Sequence, residues 1–321
     1  MILTARIERW PVRGAFTIAR GAKTHVDVVV AEVSDGVRTG RGEATAIYYH
    51  GETAESVVAQ LNALDSIPTR PSLQSILSRG GARNALDCAL WDLEAKRLGR
   101  PAWQIASLPE PGPLTTAFTI SLADPAKMEA DARASAHLPL LKLKLAGEGD
   151  LDRVAAVRRG APNARLIVDA NEAWTGRDVA AEAATLLPFG VELIEQPVKA
   201  GEDHLLGNVH SPIPLCADES CQDTRDLPRC VAYYQAINIK LDKCGGLTEA
   251  LALAKQAKAA GLDIMVGCML ATSLGIAPAH LVAQQAKWVD LDGALLLAED
   301  RPYALHEEGG QLSPPASLLW G

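Results

Sequence analysis

The 321 residues of this chain contain no basic cluster, no long apolar run and no pair of cysteines spaced as Cys-x-x-Cys. A net charge of −8, from 39 acidic against 31 basic residues, argues against nucleic acid and anionic membrane as partners. Met1-Ile2-Leu3-Thr4-Ala5-Arg6 does not lead into an apolar stretch, and charges recur along the whole chain. Neither a signal peptide nor a spanning helix is therefore expected, and the expected location is cytoplasmic. The cysteines at 88, 216, 221, 230, 244 and 268 do not cluster with the seven histidines, which excludes the usual zinc and redox motifs. Their apolar surroundings read as reduced, buried thiols. A Gly-rich phosphate loop after a first parallel strand is also missing, which disfavours a doubly wound nucleotide-binding sheet. Gly40-x-Gly42 reads instead as a bend between strands.

What is present is enough apolar material, 48% of residues, for a large core or two domains. Residues 2–12 and 26–33 read as strands, joined to Gly40-Arg41-Gly42-Glu43 by an Asp35-Gly36 turn. A helix is expected near 53–64. Another is expected over 81–98, with Ala82, Ala85, Leu86, Ala89, Leu90 and Leu93 on one side and Gly99 and Pro101 closing it. Residues 1–113 thus form a small α+β domain, with Pro109, Pro111 and Pro113 leading out. Strands near 115–121, 141–146, 165–170, 191–195, 213–217, 236–241, 263–267 and 287–291 then alternate with Ala-rich helical stretches. That pattern predicts a parallel α/β barrel over 114–293. Residues 294–321 hold no further unit and are expected to return to the first domain.

The barrel strands end in charge. Lys142 and Lys144 alternate with leucines, so a strand sends both to one face. Asp169, Glu195, Asp218 and Lys240 follow Lys144 at intervals of 25, 26, 23 and 22 residues, the length of one strand and one helix. In such a barrel, C-terminal strand ends converge on one mouth. Three carboxylates there require a neutralising cation, and oxygen-only donors suit a hard ion, one Mg²⁺. Lysines on strands two and six flank that position, and a neighbouring cation would depress their pKa. Two bases facing one carbon suit removal of a proton from one face and its return to the other. Glu219 is expected to orient Lys240.

These residues, with Asp169-Ala170-Asn171, Glu195-Gln196-Pro197, Ala217-Asp218-Glu219-Ser220 and Asn238-Ile239-Lys240, resemble the enolase superfamily in its muconate-cycloisomerase-like branch. The resemblance covers the whole chain. It implies a (β/α)7β TIM-type barrel with an N-terminal α+β capping domain, Asp169, Glu195 and Asp218 as Mg²⁺ ligands, and Lys144 and Lys240 as acid/base lysines. Lys142 would hold the substrate carboxylate, with Asn171 and Glu219 behind the ligands.

Within the branch the chain is similar to the dipeptide epimerases, because Asp290-Leu291-Asp292 resembles their Asp-x-Asp for the α-ammonium. Arg20 resembles the arginine that pairs with a glutamate side chain, and Thr272 and Ser273 fall where the family lines its substrate site. The implied function is epimerisation of a dipeptide, L-Ala-D/L-Glu first, in murein peptide metabolism. The loop Ala46-Ile47-Tyr48-Tyr49-His50 departs from the closest epimerases, which leaves the second residue of the dipeptide open. Muconate cycloisomerase, o-succinylbenzoate synthase and N-acylamino acid racemase are rivals within the branch. A catalytically inactive metal-binding barrel and a Schiff-base aldolase are rivals outside it. A homo-oligomer is compatible with the sequence and not required by it.

Overall fold

The computed structural model describes residues 1–18 and 21–321. Strands β1 (Ile2–Ile18), β2 (Gly21–Ser34) and β3 (Thr39–Thr45) form an antiparallel sheet in that order. The first two outrun the sequence reading because pairing resumes beyond an irregularity between Pro11 and Phe16, placing Phe16 opposite Lys23. The helix Gly81–Leu98 lies on this sheet through Ala85, Leu86, Ala89 and Leu93. Gly40 and Gly42 are not a bend. They sit within β3, pressed against that helix, where a Cβ on Gly42 would meet the Ala85 carbonyl at 2.2 Å. A short helix, Arg70–Ile76, was not anticipated, since seven residues carry too little periodicity to read.

After β4 (Leu114–Thr115) come eight parallel strands: β5 (Phe118–Ile120), β6 (Leu140–Lys144), β7 (Arg165–Asp169), β8 (Val191–Glu195), β9 (Leu215–Ala217), β10 (Ala236–Ile239), β11 (Asp263–Gly267) and β12 (Trp288–Asp290). They neighbour one another in sequence order. The ring is drawn together where Ala117 N donates to Val289 O at 2.8 Å and Leu291 N to Thr116 Oγ1 at 2.9 Å. The result is an α+β capping domain over a near-closed eight-stranded parallel barrel.

Residues after 293 add no further strand–helix unit; they carry a short hairpin of β13 (Glu307–Glu308) and β14 (Gln311–Leu312), which pairs with β4. Two-residue strands are too short to show alternation. Beyond it the chain returns to the first domain, where Trp320 Nε1 donates to Cys88 O at 3.0 Å.

Period two divides the barrel residues between two environments. Leu141, Leu143, Leu166, Val168, Ile194, Ile237 and Val266 join the large core. The alternate set makes a separate apolar cluster of Ala117, Leu140, Ile167, Leu193, Cys216, Ala236, Met265 and Trp288. One step along each strand the same interior positions become Lys142, Asp169, Glu195, Asp218, Asn238 and Asp290. The charged layer therefore rests on an apolar floor. Five cysteines are buried and Cys268 is half-buried, all as free thiols. Among the described residues no helix is long and apolar enough to cross a membrane.

Candidate active site

Register brings the charged strand ends level: Lys144 pairs with Asp169, and Asp169 with Glu195. Lys144 Nζ donates to Asp169 Oδ2 at 2.6 Å. Lys142 Nζ donates to Asp290 Oδ2 at 2.6 Å and lies 2.6 Å from Glu195 Oε2. Lys240 Nζ donates to Asp218 Oδ2 at 2.6 Å. β6 and β10 are four strands apart in an eight-stranded ring, so Lys144 and Lys240 face each other across the mouth.

Burial works against every one of these charges, and the neighbours decide the outcome. Burial lowers the Lys142 pKa, but Asp290, Glu195 and Asp169 outweigh it and hold the group well above the ordinary lysine value. Lys240 is likewise held above it, against burial, by Asp218 and Glu195. Lys142 and Lys240 each face carboxylates, which favours the charged form, whereas the sequence expectation of a depressed lysine concerns one beside a divalent cation. Burial and then Asp169 raise Glu195, while Lys240 and Lys243 hold Asp218 well down despite its burial.

The cavity above this layer has a volume of about 230 Å³ and includes Lys144, Lys240, Asp218, Glu219, Asn171, Asp290 and Asp292 in its lining. Asn171 donates to Asp169 through its backbone N at 2.9 Å and its Nδ2 at 3.1 Å. Asp292 accepts from Thr119 N at 2.7 Å, and burial beside Asp290 pushes its pKa up to about 7. From the cap come Lys23, which stacks 4.7 Å over the Tyr48 ring, together with Tyr49, Phe16 and Ile18. Arg20 lies outside the described residues.

Several assignments change. Lys142 also borders the cavity, but it is 1% exposed and its ammonium is paired with Glu195 and Asp290. Thr272 and Ser273 do not line the cavity. Thr272 caps the helix Ser273–Ala283 and bonds Glu43 through both its backbone N and its hydroxyl, while Ser273 Oγ donates to Asp300 at 2.5 Å. Helix capping and Glu43 take up the Thr272 hydroxyl, and the distant Asp300 and Leu305 take up that of Ser273; Cys268, Met269 and Leu270 line the cavity in their place. Glu219 and Lys240 both line the cavity, and Lys240 donates to Asp218.

Sequence reasoning missed Lys243, buried and donating to Asp218 Oδ1 at 2.6 Å, Cys221 O at 2.9 Å and Asn238 O at 3.0 Å. Its signal was a lysine three residues after Lys240 in a one-turn helix, which returns it to the same side. Asn238, whose Nδ2 donates to Glu195 Oε1 at 2.6 Å, was legible from its position two residues before Lys240.

Cap and barrel meet at a buried polar seam. Thr45 N and Asn84 Nδ2 both donate to Asp242 Oδ1 at 2.9 Å, and Arg301 pairs with Glu43 at 2.7 Å. Burial pushes Asp242 up to about 7. The folded state then holds this proton more tightly than the unfolded chain. The associated stability is complete below the ordinary carboxylate range and lost as pH rises through about 7. Asp242→Asn keeps the acceptor without the titration. Its melting temperature should gain on the wild type by a few °C between pH 5 and pH 8, as thermal melts of both proteins would record; parallel curves would refute the assignment.

The donor set suits a hard cation. Among the described residues, six buried carboxylates (Asp169, Glu195, Asp218, Glu219, Asp290, Asp292) meet four buried ammonium groups (Lys142, Lys144, Lys240, Lys243). Asn171 Oδ1 and Asp290 Oδ1 are buried acceptors that receive no hydrogen bond from the described residues. As the side chains stand, no three acidic, histidine or cysteine groups among the described residues converge at metal distance, and Asp169, Glu195 and Asp218 each pair with a lysine. The chemistry of the set nevertheless fits Mg²⁺: oxygen donors only, with negative charge in excess.

Residues 2–106 match the family described as mandelate racemase / muconate lactonizing enzyme, N-terminal domain, and residues 126–316 match enolase C-terminal domain-like. An N-acetyl-D-glutamate racemase of a Pseudoalteromonas species is 44% identical over 300 residues, covering 92% of this chain and 95% of that one. The L-Ala-D/L-Glu epimerase of Escherichia coli K12 is 42% identical over 311 residues, covering 95% and 97%. In structure, an enolase family member from Agrobacterium tumefaciens with homology to dipeptide epimerases, bound to sodium and L-Ala-L-Glu, superposes with a TM-score of 0.96 at 48% identity, covering 99% of both chains. The dipeptide epimerase of Enterococcus faecalis, complexed with Mg and L-Leu-L-Tyr, gives 0.90 at 29% identity over 98% of each.

Proposed function

We propose that this chain, which belongs to the enolase superfamily as a racemase/epimerase of its mandelate racemase/muconate lactonizing enzyme branch, is a dipeptide epimerase. Its substrate is L-Ala-D/L-Glu, and it inverts the α-carbon of the C-terminal residue. The observation that carries this is the pair of lysines facing each other across a mouth that also holds an acidic pair, Asp290 and Asp292.

Asp169, Glu195 and Asp218 would hold one Mg²⁺, with Asn171, Asn238 and Lys243 fixing their orientation. When bound, the ion supplies positive charge beside the substrate carboxylate, which gains negative charge as the α-proton leaves. It would also relieve the carboxylates of their dependence on Lys144 and Lys240. One of these lysines, neutral at Nζ, takes the α-proton from its face, and the other, as an ammonium, delivers a proton to the opposite face. One C–H bond breaks, one forms, and the lysines exchange protonation states, so the reverse reaction starts from the state the forward one leaves.

Asp290, with one oxygen unpaired, and Asp292 receive the free α-ammonium of the dipeptide. Lys23 and Arg20, both from the cap, are assigned to the glutamyl side-chain carboxylate. Desolvation lowers Lys23 from its ordinary value, and an anionic side chain would offset that cost.

The similarity to an N-acetyl-D-glutamate racemase supports a second reading. An acetamide brings no cation to the two aspartates, so the dipeptide suits this site better. Proton NMR of L-Ala-L-Glu in D₂O with Mg²⁺ should show loss of the glutamyl α-proton and growth of the L,D diastereomer, both stopped by chelator. Exchange of N-acetylglutamate with none of Ala-Glu would favour the second reading.

A further inference from the structure

A second hollow, of about 330 Å³, lies behind the active-site cavity, bounded by the cap hairpin, β5 and the helix Pro125–Ala134. Among the described residues, three line both spaces: Phe16, Thr119 and Leu296. Two of them are tied to Asp292 of the proposed ammonium site, one at its carboxylate and one at its backbone carbonyl. Thr119 N donates to Asp292 Oδ2 at 2.7 Å, and Leu296 N donates to Asp292 O at 3.2 Å. The partition thus stands where the side chain of the substrate's N-terminal residue would lie.

Phe16 is the bulk of that partition, and it is held in place. It packs with Leu296 in a cluster with Val12, Val26, Val28, Leu270 and Leu297. On one side of it, Arg13 N donates to Leu296 O at 2.8 Å; on the other, Leu122 N donates to Thr17 O at 3.0 Å. The strand bearing Phe16 is therefore fastened to the barrel at both flanks, and the ring cannot swing aside with a loose loop.

We propose that Phe16 is the residue that limits the N-terminal position of the substrate to a small side chain, by closing the active-site cavity against the second hollow. This rests on the dipeptide reading above. A side chain longer than that of alanine meets the ring. With the ring truncated, the hollow admits an unbranched apolar chain such as that of methionine.

The test compares kcat/KM for L-Ala-L-Glu and L-Met-L-Glu, read by glutamyl α-proton exchange with Mg²⁺, in the wild type, Phe16→Ala and the milder Phe16→Val. The wild type should prefer Ala-Glu by about tenfold or more, and the variants should shrink that preference by about as much, mainly through KM for Met-Glu. Adding Ala134→Trp to Phe16→Ala refills the hollow from an exposed position on its far wall and should restore the preference. Equal use of both dipeptides by the wild type would overturn the proposal, as would variants that lose both activities in proportion. No exchange with any dipeptide would instead sink the functional reading on which it rests.

Discussion

Lys240→Ala is expected to lower epimerisation by about 10³-fold or more while leaving the fold intact. The fold survives because Asp218 keeps a second cation, Lys243, whose ammonium lies 2.6 Å from Oδ1. The loss is then chemical. Lys144→Ala should be as damaging to inversion, since each lysine serves one face of the α-carbon and neither can reach around it. The two variants should differ in what they retain. Each should still exchange the α-proton of one diastereomer of Ala-Glu with deuterium, and the retained diastereomer should be opposite in the two proteins. Hydrogen exchange followed separately on L-Ala-L-Glu and L-Ala-D-Glu reads this directly. If either single variant exchanges both, a two-base division between these lysines is wrong.

The largest effect on stability should come from Lys142→Met. This ammonium sits 2.6 Å from both Glu195 and Asp290 and 3.6 Å from Asp169. A buried cation among carboxylates contributes little net stability as a pair, yet removing it alone leaves like charges facing each other without compensation, at a cost of about 3–5 kcal/mol. Lys144→Met should cost clearly less, since its side chain is 10% exposed against 1% and it meets one carboxylate rather than three. Denaturant titration of both variants tests the order. Mg²⁺ should recover more of the lost stability in Lys142→Met than it adds to the wild type. Equal losses in the two variants would mean that the deep ammonium is not what holds the acidic ring together.

How much of this was legible in the residues follows from where each signal lives. A strand of five residues with lysines at alternate positions states its own facing, and charged groups repeating at the length of one strand and one helix locate a single rim. That was enough for the barrel and for Lys144, Asp169, Glu195, Asp218 and Lys240. Contacts between distant segments leave no such trace. Nothing near Asp242 announces that Thr45 and Asn84 will donate to it, and the helix Gly81–Leu98, read as plain capping structure, supplies Asn84 to that seam. Thr272 was misplaced because a hydroxyl at a helix start serves the backbone as readily as a ligand, and Ser273 because its partners, Asp300 and Leu305, are distant in sequence. Gly40 and Gly42 pointed correctly to an unusual backbone position, but close approach of a helix and a bend leave the same residue behind.

The apolar floor beneath the charged layer sets the side from which the site can be filled. Leu140, Ile167, Leu193, Met265 and Trp288 close the barrel below Lys142, so the described residues leave the cap side as the way in. The three carboxylates at the bottom lie under the space a dipeptide would take. The barrel is a vessel open at one end, and an ion seated on Asp169, Glu195 and Asp218 would lie beneath whatever fills the cavity.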